Sequence, residues 1–277
     1  MPAADAVHAP TDLRALLEVA RDAVAEAAEV VRAHRPESVQ WKGDRDPATE
    51  VDVAVERRIR ALLAERTPDV AFLGEEEGAT GRDGGLLWSL DPVDGTVNYL
   101  HGAPTVAVSL GLFREGEAVA GVIRTPFLGA ADGGSEYWGA AGLGAWCDGV
   151  PIRVSGTAAL SGALVSVGDF AVGEGAAGLN ERRLRLAGLL AQRAQRVRMW
   201  GSAAIDLAFV AAGRTDASAM FTNKPWDTAG GVAIARAAGA VVMDADGAEH
   251  RIDSTATVAC TPAIAPELRQ LLADVGV

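Results

Sequence analysis

The short apolar run at residues 86–90 opens directly onto Asp91-Pro92-Val93-Asp94-Gly95-Thr96. A run of that length reads as a strand, so the fold must deliver the Asp91 carboxylate at the end of an element of its own core. Pro92 sets the turn and places a second carboxylate three residues on, Gly95 permits close backbone approach, and Thr96 offers a hydroxyl where a helix can start. Two carboxylates thus converge beside a site the size of a phosphate. Read alone, the segment is equally an acidic turn in which Asp94 caps a helix.

Three further segments carry chemistry. Phe72-Leu73-Gly74-Glu75-Glu76-Glu77 ends another short apolar run in consecutive carboxylates, whose repulsion is relieved by solvent or by a bound cation. Thr49-Glu50-Val51-Asp52 fits a capping box at the start of a helix. Lys42, on the polar stretch ahead of it, is either a surface lysine or the cation of a mobile loop that closes over phosphate. Pro225-Trp226-Asp227 precedes the helical run at 228–238, which predicts Asp227 as its N-cap.

Leu13, Leu16, Leu17, Ala20, Val24, Ala27, Ala28 and Val31 recur at helical spacing, with Thr11 as the cap and Pro36 as the stop. A polar segment at 37–47 reads as a mobile loop, and Val51, Val55, Ile59, Leu62 and Leu63 mark a second helix. Strands are predicted at 70–73, 86–90, 105–112, 118–123, 137–138 and 152–154. From about Ser155 the pattern changes to strands at 164–167 and 196–199 alternating with helices at 181–192, 203–212, 228–238 and 266–273, with a flexible loop at 173–178. The expected organisation is an α+β sub-domain over 1–155 and an α/β sub-domain over 156–277.

With 277 residues, nearly half of them apolar, the chain buries a core without external staples. Its net charge of −12 argues against nucleic acid as a partner and makes a neutralising divalent cation plausible for any anionic substrate. Cys147 and Cys260 have no metal-binding or redox spacing. No basic start leads into an apolar run, and no stretch has the length of a membrane span, so the expected location is the cytoplasm, away from membranes.

Gly74-Glu75-Glu76, the segment from Asp91 to Tyr99, and Trp226-Asp227-Thr228-Ala229-Gly230 closely resemble, in order and spacing, the signatures of the inositol monophosphatase family. Lys42 with the segment from Asp46 to Asp52, and Gly201-Ser202-Ala203-Ala204-Ile205-Asp206-Leu207, extend the resemblance over nearly the whole chain. It implies a layered αβαβα sandwich, a homodimer, and a Mg²⁺-dependent phosphatase of a small phosphorylated metabolite. Glu75, Asp91, the Val93 carbonyl, Asp94 and Asp227 would hold Mg²⁺, the first sub-domain supplying most of these ligands. The catalytic residues implied are Lys42, Asp52, Glu75 and Thr96, with Asp52 and Thr96 polarising or orienting the attacking water. Gly95 and Thr96 would receive the phosphate, and Asp94, Gly201, Ser202, Ala203, Met220 and Asp227 would face the alcohol half.

Met220 is a departure, because many family members carry Glu there to accept hydrogen bonds from ring hydroxyls. Methionine cannot read a polyol in that way, which predicts a less hydroxylated or partly apolar leaving group. Rival readings on the same scaffold are histidinol-phosphate, fructose-1,6-bisphosphate, nucleotide 3′-phosphate or sugar-phosphate phosphatases, since fold does not choose among them. A non-catalytic regulatory protein is a further rival, disfavoured by the intact carboxylate set.

Overall fold

The computed structural model describes residues 12–81, 85–129 and 133–276. Its helices are α1 (Leu13–Ala33), α2 (Glu50–Arg66), α3 (Thr96–His101), α4 (Ala176–Arg193), α5 (Ala203–Ala211), α6 (Pro225–Ala237) and α7 (Ala265–Val275). The strands are β1 (Val39–Gly43), β2 (Asp46–Thr49), β3 (Ala71–Gly74), β4 (Gly78–Thr80), β5 (Leu86–Asp94), β6 (Ala107–Arg114), β7 (Glu117–Thr125), β8 (Ser135–Ala140), β9 (Gly144–Cys147), β10 (Val150–Pro151), β11 (Leu164–Val167), β12 (Arg196–Arg198), β13 (Ala217–Phe221), β14 (Val241–Met243) and β15 (Ala256–Cys260).

The period-2 pattern of β6 sorts the layers. Val108, Leu110 and Leu112 join the core beneath α1 and α2, while Ala107 and Phe113 join the core shared with α5 and α6. An eight-stranded sheet in the order β10-β9-β8-β7-β6-β5-β3-β4 therefore has helices on both faces. The second sheet, β12-β11-β13-β15-β14, contributes Met220, Val242 and Ala259 to the α5/α6 core. Its other face packs Val165 and Val258 against Leu186 and Leu190 of α4 and Leu268 and Leu271 of α7. The result is the αβαβα sandwich that the family resemblance implies.

The predicted helices and the main strands are present, with three corrections. The stretch expected as a mobile loop holds the antiparallel hairpin β1–β2, with Val39 opposite Thr49; the alternation Val39-Gln40-Trp41-Lys42 is the strand signal that its polarity obscured. The strand expected at 152–154 is an extended connector, whose Val154 N–H donates to the Ala238 carbonyl at 3.1 Å. The loop expected at 173–178 already contains the first turn of α4. Asp12 caps α1 through the Arg14 N–H at 3.0 Å; the expected cap, Thr11, lies outside the described residues.

The middle helix layer touches the large sheet through glycine. Gly111 of β6 and Gly121 of β7 are register partners. A Cβ on Gly121 would meet the Gly230 carbonyl oxygen of α6 well inside contact distance, and one on Gly111 would meet Ala229 and the Gly230 nitrogen. Backbone therefore rests on backbone, which leaves no room to add even a methyl group. We expect Gly121→Ala to cost about 1–3 kcal/mol by overpacking. Gly188→Ala, in open space on α4, should instead stabilise by about 0.5–1 kcal/mol. Urea midpoints check both, and an unchanged midpoint for Gly121→Ala contradicts the close approach.

Candidate active site

In a regular strand, residues three apart point to opposite faces. At the end of β5 the register breaks, with Asp91 opposite Ser109 and Asp94 opposite Ala107, so Pro92 and Val93 share one partner position. This bulge lets Asp91 and Asp94 turn toward the same site, and Asp91 feels the charge of Asp94. The Val93 N–H donates to Asp91 Oδ1 at 3.0 Å, and the Val93 carbonyl accepts from Thr96 Oγ1 at 3.0 Å. Gly95 then turns the chain into α3 at φ +88, where a side chain would also press on the Thr105 carbonyl.

Asp94 does not cap α3, as the acidic-turn reading had it. It reaches the start of α5, accepting from Ser202 Oγ at 2.5 Å, Ala204 N at 2.7 Å and Ala203 N at 3.2 Å. Gly201, Ser202 and Ala203 are thereby brought beside Asp94 at a helix N-terminus that favours negative charge. Asp227 is likewise not the N-cap of α6. Pro225 occupies the first turn, where its missing N–H costs nothing, so Asp227 falls at the third position and accepts from the Lys224 N–H at 2.7 Å.

Asp52 closes the predicted capping box of α2, accepting from the Thr49 N–H at 3.0 Å and from the Thr49 hydroxyl. Its other oxygen, Oδ1, lies 3.3 Å from Thr96 Oγ1, which joins α2 to α3. Lys42 on β1 places Nζ 2.5 Å from Glu75 Oε1 and 3.0 Å from Glu76 Oε1, so this side chain is not a free surface lysine.

Burial dominates the electrostatics. It raises Asp227 to about 7 and Asp94 to about 6, in Asp94 against the opposing bonds from Ser202 and the α5 amides. Asp91 is pushed well above the usual carboxylate range, first by burial and then by Glu75, Asp94, Asp227 and Asp52. Glu75 rises to about 7 because burial outweighs Lys42, and Asp52 is raised by burial as well.

Among the described residues, no three acidic, histidine or cysteine side chains already stand as a metal-holding cluster. Each candidate carboxylate already accepts a hydrogen bond: Glu75 from Lys42, Asp91 from the Val93 N–H, Asp94 from Ser202 and α5, and Asp227 from the Lys224 N–H. The donor chemistry nevertheless fits a hard divalent cation, because the groups are all oxygen donors, with Asp91 and Asp94 buried and Glu75 and Asp227 half-buried, and Glu75, Asp94 and Asp227 all repel Asp91. A cation is what would keep them ionised together.

A cavity of about 460 Å³ opens beside Asp94 and Asp227 and is lined by Ser202, Met220, Asp169 and Phe170 among others. Met220 is buried on β13 and packs on Gly168. Asn223 lines the cavity too, with its Oδ1 unpartnered among the described residues. Lys42, Asp52, Glu75 and Asp91 do not line it, although the charge of Glu75 reaches Asp227.

Sequence reasoning missed the groups that hold these residues in place. Glu56, fully buried, accepts from the Glu76 and Glu77 N–H groups at 2.8 and 2.9 Å and from Arg60 at 2.6 Å, which fixes the turn bearing Glu75. Its position four residues after Asp52 and four before Arg60 was the available signal. Asn98 Nδ2 donates to the Thr105 and Trp200 carbonyls, both at 2.9 Å, tying α3 to the approach of α5. Nothing in the local pattern distinguishes that asparagine from an ordinary helical one.

The family model of the inositol monophosphatase family matches residues 12–275. Over 269 residues the chain is 36% identical to the inositol-1-monophosphatase ImpA of Mycolicibacterium smegmatis, covering 96% of this chain and 95% of that protein. It is 34% identical to a fructose-1,6-bisphosphatase/inositol-1-monophosphatase of Aquifex aeolicus, over 83% of this chain and 86% of the relative. The solved inositol monophosphatase of Anabaena (Nostoc) sp. PCC 7120 superposes with a TM-score of 0.82 at 32% identity, covering 95% of this chain and 97% of that one. Sequence signatures, layered fold and relatives agree: the chain belongs to the inositol monophosphatase family, a family of metal-dependent phosphatases, and is a phosphoric monoester hydrolase.

Proposed function

We propose that the protein hydrolyses a small phosphate monoester with Mg²⁺, and that Glu75, Asp91, the Val93 carbonyl, Asp94 and Asp227 hold the ion. The observation that carries this reading is a carboxylate set largely withdrawn from solvent, two of whose members, Asp94 and Asp227, line a cavity and are raised to about 6 and about 7. Mg²⁺ suits such a set because it takes oxygen ligands and, when bound, supplies Lewis-acid charge and an acidified water.

The chain's own residues do the rest. Gly95 and Thr96 present backbone amides to the phosphate at the turn into α3. Asp52 Oδ1 orients the Thr96 hydroxyl and, its carboxyl raised by burial, can take a proton from a water lined up by that hydroxyl. Lys42 leaves Glu75 and Glu76 to meet the phosphate charge, so the β1–β2 hairpin carries a cation to the substrate. Gly201, Ser202 and Ala203 face the leaving alcohol with Met220 behind them. We further propose a cytoplasmic homodimer without nucleic-acid or membrane partners; the net charge of −12 supports the former absence, and among the described residues no helix is long and apolar enough to cross a membrane.

Asp94→Asn keeps the volume but removes a ligand charge, and should lower Mg²⁺-dependent phosphate release by roughly two orders of magnitude or more. Asp91→Asn and Asp227→Asn should behave alike. Most of the wild-type rate persisting in Asp94→Asn at saturating Mg²⁺ would show that the ion is held elsewhere. Lys42→Ala should impair turnover more than folding. Unchanged turnover with an unchanged thermal midpoint would leave Lys42 a structural ion-pair partner only. Met220→Glu should move specificity toward myo-inositol 1-phosphate, which the wild type does not prefer. A wild-type kcat/KM already highest for that ester, with no gain in the variant, contradicts the role given to Met220.

A further inference from the structure

The cavity carries charge and apolar surface for which phosphate hydrolysis has no use. Asp169 lines it, is exposed, and forms no salt bridge among the described residues. Asp206, 1% exposed, lines it as well, and its Oδ1 has no hydrogen-bond partner among the described residues. Arg183 is the basic side chain on this wall, and its hydrogen bonds go elsewhere: to the Asp169 carbonyl at 2.7 Å, the Phe221 carbonyl at 2.8 Å and Thr222 Oγ1 at 2.7 Å. The guanidinium offsets part of the Asp169 charge through space without pairing to its carboxylate.

Beside these acids the wall is apolar. Phe170, Val172 and Leu179 are 40%, 43% and 40% exposed, high values for large apolar side chains, and all three line the cavity with Met220. The wall is also held in place. Asn180 and Arg183 lie three apart on α4 and so share a face. Asn180 accepts from the Ala171 N–H at 2.7 Å and donates to the Ala171 carbonyl at 2.9 Å, while Arg183 fixes Asp169. A clamped segment that joins an unpaired carboxylate, an unused buried acceptor and an apolar surface matches a ligand that is cationic at one point and apolar beside it.

We infer that this wall selects a leaving alcohol bearing a protonated amine next to an apolar or aromatic face, with Asp169 as the specificity-determining residue. The inference rests on the phosphatase reading above and narrows its substrate class. It separates this chain from enzymes that accept a bisphosphate, because a second phosphate group would meet the Asp169 carboxylate while the Arg183 guanidinium is committed to the Asp169 and Phe221 carbonyls and Thr222. A solvated Asp169 with no role in selection is the outcome that would overturn it.

The test uses the full-length protein with Mg²⁺ and four probes: histidinol phosphate (amine and ring), phosphoethanolamine (amine alone), myo-inositol 1-phosphate (uncharged alcohol) and fructose 1,6-bisphosphate (second phosphate). Wild-type kcat/KM should be highest for histidinol phosphate and lowest for the bisphosphate. Asp169→Asn should lower the ratio of kcat/KM for histidinol phosphate over inositol phosphate by roughly five- to tenfold, the scale of one partly solvated charge pair, chiefly through KM. Asp169→Lys should invert the order of amine and bisphosphate. A ratio unmoved by both variants overturns the inference and leaves the phosphatase reading standing. Absence of phosphate release from every ester would instead sink the phosphatase reading. A binding measurement still decides the inference in that case: histidinol with Mg²⁺ and inorganic phosphate should raise the thermal midpoint of the wild type and not of Asp169→Asn, and equal shifts overturn it.

Discussion

Asp94 joins the large sheet to the middle helix layer. It sits at the end of β5, and its carboxylate accepts from Ser202 and from the first amides of α5, so a charge is buried where two layers meet. Such a group is tolerated only if its hydrogen bonds and its charge are both answered. The α5 terminus answers the hydrogen bonds. The charge is another matter, because Asp94 and Asp227 both raise the cost of ionising the buried Asp91, and Asp94 raises that of Asp227. A divalent cation is the compensation this arrangement calls for.

The same demand explains why the middle layer packs so closely. Asp227 is carried by α6, whose backbone at Gly230 lies on Gly111 and Gly121 of the sheet. A larger residue at any of the three would push the helix outward and move Asp227 away from Asp94. Fold stability and site geometry are thus set by one backbone contact, and they should fail together. On the opposite side of the site, Glu56 and Arg60 do for the Glu75 turn what the glycines do for α6.

Much of this was legible in the residue order. The end of a strand was written in the apolar run before Asp91, and the capping box at Thr49 and Asp52 put a carboxylate at the head of α2. What could not be read were contacts made over long sequence distances. Asp94 looked like a cap for its own helix, yet it caps α5, more than a hundred residues on. Asp227 looked like an N-cap because the helical run was read from 228, whereas Pro225 is the first helical residue. The β1–β2 hairpin was hidden by polarity, since an exposed two-stranded ribbon has no buried face to advertise it. Strands β13 to β15 are short and flanked by small residues, so periodicity had little to work with.

The central claim is that buried carboxylates await a divalent cation, and proton linkage tests it without any substrate. Asp94 and Asp227 have folded-state values of about 6 and about 7, above the usual carboxylate value near 4 of the unfolded chain. Between those limits the folded metal-free protein binds more protons than the unfolded chain, so its stability falls as pH rises. A bound cation requires the same groups to be deprotonated, so its stabilisation grows in the same direction. The deciding measurement is the thermal midpoint from about pH 5 to about pH 8, with and without saturating Mg²⁺. The account predicts a gap between the two curves that is small at the acid end and widens steadily toward the alkaline end; a gap that is absent, or constant across the range, would contradict it.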